Sequence, residues 1–192
     1  MIGDRDGELL VAAKRFDKPA LELIYDTYSP GLYVYSIRLL GDAQLAEDCV
    51  SETFGRFLNA LQAGRGPHSH LQAYLYRIAH NWITDQYRRQ PPPPVLLDEN
   101  MQSGSDQVIE QEADRRILAD QVRAALYRLT PDQRQVVMLK FYDGWDNGAI
   151  AAALNKPVGA VKSLQHRAIE ALKRMLLLEE GIANYGPQPQ NE

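Results

Sequence analysis

Four consecutive prolines, Pro91 to Pro94, stand near the middle of the 192-residue chain. No helix or sheet ladder runs through such a block. Each proline lacks an amide donor and fixes its own φ, so the run favours an extended polyproline conformation. The sequence after it, "VLLDENMQSGSDQ", is acidic, contains Ser and Gly, and shows no apolar periodicity. Residues 91–111 therefore read as an interdomain linker, stiff at its start and flexible beyond. The fold must be built from two pieces, residues 1–90 and 112–180, followed by a polar tail over 181–192.

Both pieces carry apolar residues at spacings of three and four, the signature of amphipathic helices, and strand signals are weak. The expectation is an all-α protein of two small helical domains. In the first piece, "DGELLVAAKRF" and "ALELIYDTY" read as short helices, and Pro30 allows a fresh start for "GLYVYSIRLL". Gly41 ends that helix in a left-handed cap, and Asp42 caps the next. There Leu45, Cys49, Val50, Thr53, Phe54, Phe57, Leu58 and Leu61 trace an apolar stripe, while Asp48, Ser51 and Glu52 lie on the opposite face. "AGRGPHSH" is a loop by composition. A further helix shows Leu71, Tyr74, Leu75, Ile78, Trp82 and Ile83 on one face and Arg77, Asn81, Asp85 and Arg88 on another.

The second piece resumes with Ile117, Val122, Ala125, Leu126 and Leu129. "TPDQ" is a capping box, with Thr130 as N-cap, Pro131 in the first turn and Gln133 reaching back. Val136, Val137, Leu139, Lys140 and Phe141 continue that helix until Gly144. Asp146 caps a short helix ending at Leu154, "NKP" turns the chain, and a longer helix starts at about Val158. This is helix-turn-helix spacing, in which the second helix enters the major groove of DNA. Ile150, Ala151, Leu154, Val158, Val161 and Leu164 are expected to pack the two helices together. Gly159, Ala160, Lys162, Ser163, His166 and Arg167 are then left for the DNA-facing side. Glycine and alanine permit close approach, and the others supply donors for phosphates and base edges.

The formal net charge is −4, but it is unevenly spread. Residues 91–113 carry acids and no Lys or Arg, whereas the helix after "NKP" is basic. The overall sign therefore hides a local nucleic-acid footprint. The single cysteine, Cys49, excludes an internal disulfide, fits a reducing cytoplasm, and reads as a buried thiol. No stretch is long and apolar enough for membrane insertion, and no secretory leader is visible. No nucleophile–base pair, phosphate loop or metal cluster has usable spacing, so neither an enzyme nor a cofactor is expected.

With these motifs in order, the sequence resembles the extracytoplasmic-function (ECF) group of bacterial sigma factors, dissociable promoter-recognition subunits of RNA polymerase. "AEDCVSETF" resembles the group's segment that binds core polymerase, which implies a core-binding role for Asp48, Ser51 and Glu52. "YLYRIAHN" with its basic end resembles the segment that recognises and melts the −10 element. That implies −10 contacts from Arg77, Asn81 and Arg88, with the Gly64–His70 loop, including His68, cupping an extruded base. "LTPDQRQVVMLKFYDGWDNGAIAAALNKPVGAVKSLQHRAIEAL" is similar to the −35 reader. The resemblance also implies an anti-sigma factor as partner. Departures include Ser51, where glutamine is usual, Asp146 and Ala149 in place of Ser and Glu, and Leu164 where Arg is frequent. The competing readings are a stand-alone helix-turn-helix regulator binding duplex operators as a dimer, and a protein-binding helical adaptor without DNA affinity.

Overall fold

The computed structural model describes residues 2–89 and 107–183, and every regular element among them is helical. The proline run of the linker and the tail beyond residue 183 lie outside the described residues, as does the side chain of Ile117.

Helix α1 spans Ile2–Ala13, α2 Lys18–Leu40, α3 Ala43–Gln62 and α4 Leu71–Arg89. The second piece contains α5 (Gln107–Arg128), α6 (Pro131–Val137), a π-helical turn (Met138–Tyr142), α7 (Asn147–Leu154) and α8 (Val158–Ala183). The caps read from sequence are in place. Gly41 closes α2 with φ 71°, and Asp42 accepts the amide of Leu45 at 2.8 Å. The Thr130–Gln133 box is reciprocal, and Asp146 accepts the amide of Ala149 at 2.8 Å.

Two boundaries differ from the expectation. Pro30 does not start a helix but lies inside α2. Ile24, Tyr28, Leu32, Tyr35 and Leu39 on its two sides form one buried stripe. Each fully buried apolar side chain contributes about 1.5–3 kcal/mol, so together they outweigh the proline penalty of about 3 kcal/mol. Helix α5 also begins at Gln107, within the expected linker of residues 91–111. "QVIEQEAD" contains neither Gly nor Pro and is rich in helix formers, so propensity carries the helix where apolar periodicity is faint.

Three side chains expected on inner faces are exposed: Leu58 on α3, Phe141 on the π-helical turn and Val158 at the start of α8. The wider π turn rotates residues off the α6 stripe. Val158 sits in the first turn of α8, before that helix meets α7, whereas Val161, Leu164 and Ala168 are buried beneath it. Leu164 is therefore part of the packing and not an outward position.

The two pieces share one hydrophobic cluster. Helix α4 is its hinge element, packing on α2 and α3 with one side and on α6 and α7 with another. Across this junction the rings of Tyr76 and Trp145 lie 4.9 Å apart, and those of Tyr87 and Tyr127 5.1 Å apart.

Candidate nucleic-acid interfaces

The helix-turn-helix is formed by α7, a turn over 155–157 and α8. Asn155 closes α7 in the left-handed region at φ 52°, a conformation that asparagine tolerates better than most residues. The Gln165 amide donates to Asn147 Oδ1 at 2.9 Å, tying the middle of α8 to the start of α7. With Val161, Leu164 and Ala168 facing inward, Gly159, Lys162, Ser163, His166 and Arg167 are exposed along one side, and Ala160 is half-buried at its margin. Ser163 donates to the Gly159 carbonyl at 3.1 Å, and Arg167 Nε to the Ser163 carbonyl at 3.3 Å. These local bonds hold both side chains against a helix surface open to solvent.

A second set gathers on α4. Arg77, Asn81 and Arg88 line one wall of a cleft of about 480 Å³, whose opposite wall comes from the second piece through Pro131, Asp132 and Gln135. Arg77 lies 5.2 Å above the Tyr74 ring, and Arg88 pairs with Asp85 at 3.4 Å. Thr84 Oγ1 and Gln135 Nε2 are buried along this cleft with no hydrogen-bond partner among the described residues. A space of this size admits a few waters or one small molecule. It does not admit a duplex, whose major groove alone is about 12 Å wide. His68 is not among the cleft residues; its Nδ1 lies 3.1 Å from Lys14 Nζ at the end of α1.

The floor of the junction is polar in a way the sequence did not reveal. His80, expected only as a position between the motif residues, is buried. Its Nε2 lies 2.9 Å from the Pro131 carbonyl, an acceptor only, so Nε2 carries the proton. The other nitrogen, Nδ1, therefore accepts from the Tyr35 hydroxyl at 2.7 Å. Burial, and secondarily the nearby Arg134 cation, push the imidazole down to about 3, against the opposing effect of the Pro131 bond. Arg134 donates to the carbonyls of Leu126 at 3.0 Å, Leu129 at 3.1 Å and Tyr127 at 3.3 Å, and its guanidinium lies 4.5 Å over the Tyr87 ring of α4. Nearby, Asp143 faces Arg38 at 3.9 Å. Burial raises its carboxyl to about 6, with Arg38 acting the other way.

The third set, Asp48, Ser51 and Glu52, is exposed on α3 as the spacing predicts. Asp48 accepts from Gln44 at 3.3 Å, and Glu52 pairs with Arg56 at 2.8 Å. Beside it runs a groove of about 500 Å³ between α2 and α3, lined by Tyr25, Tyr33, Val34 and Val50 among others. Tyr25 and Val34 are half-exposed there and fall outside the buried stripe of α2.

Two family models match the segments that carry these sets. The model for Sigma-70 region 2 matches residues 24–91, and the model for Sigma-70 region 4 matches residues 119–172. The ECF RNA polymerase sigma factor SigL of Mycobacterium tuberculosis is 32% identical over 167 residues, covering 84% of this chain and 91% of the relative. The chain belongs to the ECF RNA polymerase sigma factors. The sigma factor BldN of Streptomyces coelicolor is 33% identical over 88% of this chain, which spans 65% of BldN's length. Among solved structures, the sigma factor RpoE of Bartonella quintana, in complex with the anti-sigma factor NepR, matches with a TM-score of 0.51 and 27% identity, over 83% of this chain and 95% of that one. In this sigma factor the region 2 match contains the α3 and α4 sets, and the region 4 match contains the helix-turn-helix. None of its described helices is long and apolar enough to cross a membrane.

Proposed function

We propose that this sigma factor binds core RNA polymerase through the α3 face of Asp48, Ser51 and Glu52, reads the −10 element with Arg77, Asn81 and Arg88, and reads the −35 element with α8. It acts in the cytoplasm as a dissociable, non-catalytic subunit. The observation that carries the reading is the arrangement of three separate polar faces on the region 2 and region 4 segments, in the order that the sigma-factor sequence requires.

Each face suits its task. Glu47 and Ser51 of α3 line the groove, and Asp48 and Glu52 each follow one of them in sequence, so a basic amphipathic helix can pair with the acids and bury side chains in the groove. Asn81 offers both a donor and an acceptor to a base edge, and the two arginines suit phosphates. Strand opening is driven by binding energy, because capture of an unstacked base offsets an extrusion cost of a few kcal/mol. His68 would join this face once released from Lys14. On α8, Lys162 and Arg167 serve phosphates, while Ser163 and His166 serve base edges, with Gly159 and Ala160 permitting close approach.

In the compact form the −10 face is walled by Pro131, Asp132 and Gln135 of the second piece. Promoter engagement therefore requires the two pieces to separate, and binding to core polymerase supplies the driving force. An anti-sigma factor is the expected regulatory partner, by analogy with the RpoE complex.

The test is gel filtration with core polymerase. Wild type co-elutes; Asp48→Arg combined with Glu52→Arg abolishes co-elution while leaving helicity unchanged. Undiminished transcription by the double variant sinks the core-binding assignment. Tight, dimeric binding to duplex DNA without polymerase would favour a stand-alone regulator instead.

A further inference from the structure

The junction between the two pieces holds two titratable groups, the buried His80 and the half-buried Asp143, with Tyr35 a neighbour of both. His80 belongs to α4 and donates its Nε2 proton to the Pro131 carbonyl of α6. Asp143 follows the π-helical turn of the second piece and faces Arg38 of α2. Each bridges the two pieces; His80 lies on the lining of the cleft that Arg77, Asn81 and Arg88 share, and Asp143 lies outside the three polar faces described above.

We propose that His80 is an acid-opened pin between the two pieces and that Asp143 is its counterweight, so that protonation of the two groups sets the balance between the compact and separated forms. The consequence for promoter access rests on reading Arg77, Asn81 and Arg88 as the −10 face, whereas the opening itself does not.

The geometry gives each pin its sign. In the compact form both imidazole nitrogens are committed, Nε2 as donor and Nδ1 as acceptor. A second proton would go to Nδ1, against the Tyr35 hydroxyl that now donates to it. Tyr35 is fully buried, so its own hydrogen would lose its acceptor. The groups around His80 offer the cation little help: Tyr35 from α2, Cys49 from α3 and Arg134 from α6, of which Tyr35 and Cys49 are neutral and Arg134 is already positive. Across the cleft, Asp132 of α6 is paired with Lys156 at 3.1 Å, Asp85 of α4 itself with Arg88 at 3.4 Å, and Arg56 with Glu52 at 2.8 Å, while Arg77 adds a further positive charge. Around Asp143 the only nearby cation of α2 is Arg38, and the neighbouring Tyr35 and Tyr76 hydroxyls stay protonated. Lys140, on the same turn, is spent on the Trp145 carbonyl. Asp143 Oδ2 is buried with no hydrogen-bond partner among the described residues, a position better suited to a protonated carboxyl.

The signs then follow from proton linkage. His80 takes up a proton less readily in the compact form than its ordinary 6.5, so acidification below that value favours separation. Asp143 holds a proton more readily than its ordinary 3.8, so acidification below about 6 favours closure. If separation restores both ordinary values, lowering the pH from 7.5 to 5.5 shifts the separated-to-compact ratio by about tenfold through His80. Asp143 shifts it by about fourfold the other way, leaving a net opening of about threefold.

The experiment measures energy transfer between dyes on Asn59→Cys and Lys173→Cys, both exposed positions, in the full-length chain with buried Cys49 left in place. The ratio is read from pH 7.5 to 5.5, with far-UV circular dichroism to separate opening from unfolding. The expected result is about threefold opening in the parent, about tenfold with Asp143→Asn, and reversed dependence, about fourfold closing, with His80→Gln. Glutamine keeps one donor and one acceptor but does not titrate in this range. The proposal is overturned if Asp143→Asn flattens the response or His80→Gln leaves it unchanged. A measurement without variants serves if His80→Gln misfolds: His80 ring signals in the compact wild type should stay neutral at pH 5.5. Protonation of that ring while transfer remains high would also overturn it. Opening that follows these signs while promoter binding stays constant would refute the −10 assignment and leave the pins intact.

Discussion

Replacing Arg134 with methionine tests how region 4 is held together and how it grips region 2. Arg134 is 4% exposed, and it donates to three carbonyls at the end of α5, those of Leu126, Tyr127 and Leu129. Carbonyls in the last turn of a helix have no intrahelical partner, so this side chain caps the end of α5, where the Leu126 carbonyl also accepts from the Leu129 amide at 3.2 Å. Hydrogen bonds to a charged group contribute about 1.5–3 kcal/mol each, and buried carbonyls left unpaired cost about 1–3 kcal/mol each. The Tyr87 ring adds about 0.5–2 kcal/mol through its face. Against this stands the cost of burying the guanidinium, whose Nη1 has no hydrogen-bond partner among the described residues. Methionine fills similar volume without the donors. The expected net destabilisation is about 3 kcal/mol, since the three bonds share one side chain and do not add fully. Urea unfolding followed by circular dichroism measures it. Adding Tyr87→Leu isolates the interaction between the two pieces, with an expected coupling of about 1 kcal/mol. A destabilisation below about 1 kcal/mol for Arg134→Met would refute the reasoning.

Two further outcomes follow from local structure. Cys49 is buried, and burial raises its thiol to about 11, so at pH 8 it stays protonated and enclosed; a thiol-specific reagent should react at the rate of unfolding, and rapid labelling of the native protein would contradict this packing. Asp146→Ala removes the side-chain cap of α7 and should cost about 1 kcal/mol in thermal unfolding, with Asp146→Ser restoring most of it; equal stability of the three proteins would show that the cap contributes nothing.

Much of the fold was legible because it depends on neighbours in sequence. The caps at Asp42, Thr130 and Asp146 need only residues three positions away, and the inner face of α8 repeats at helical spacing through Val161, Leu164 and Ala168. Pro30 misled because the local penalty is visible in the sequence and the burial that outweighs it is not. The start of α5 at Gln107 was hidden by its weak apolar stripe. What the sequence did not show was the junction. His80, Arg134 and Asp143 read as ordinary polar positions until α6 and α7 are laid against α4. A clue was present: Tyr76, His80 and Tyr87 are buried on α4 beside the Leu71–Leu75–Ile83 stripe, so this helix carries more large buried side chains than one packing face needs.

The exposed faces were legible in kind but not in state. Sequence put Arg77, Asn81 and Arg88 together, and the structure keeps them together but walls them with the second piece. The groove beside Asp48 and Glu52 required the packing of α2 on α3, which periodicity within either helix does not specify.

Run-off transcription with reconstituted core polymerase tests the central claim most directly, on a promoter selected from genomic fragments and on its single-base −10 and −35 variants. With the wild-type chain, polymerase should start at one defined position, and Asn81→Ala should relax preference at one −10 base. Lys162→Ala or Arg167→Ala should weaken all −35 variants alike and lower the salt slope by about 0.9 for each phosphate no longer neutralised. Ser163→Ala or His166→Ala should instead cost about 1–3 kcal/mol at a single −35 position. Transcripts identical to those of core polymerase alone, whatever the −10 and −35 sequences, would contradict the account.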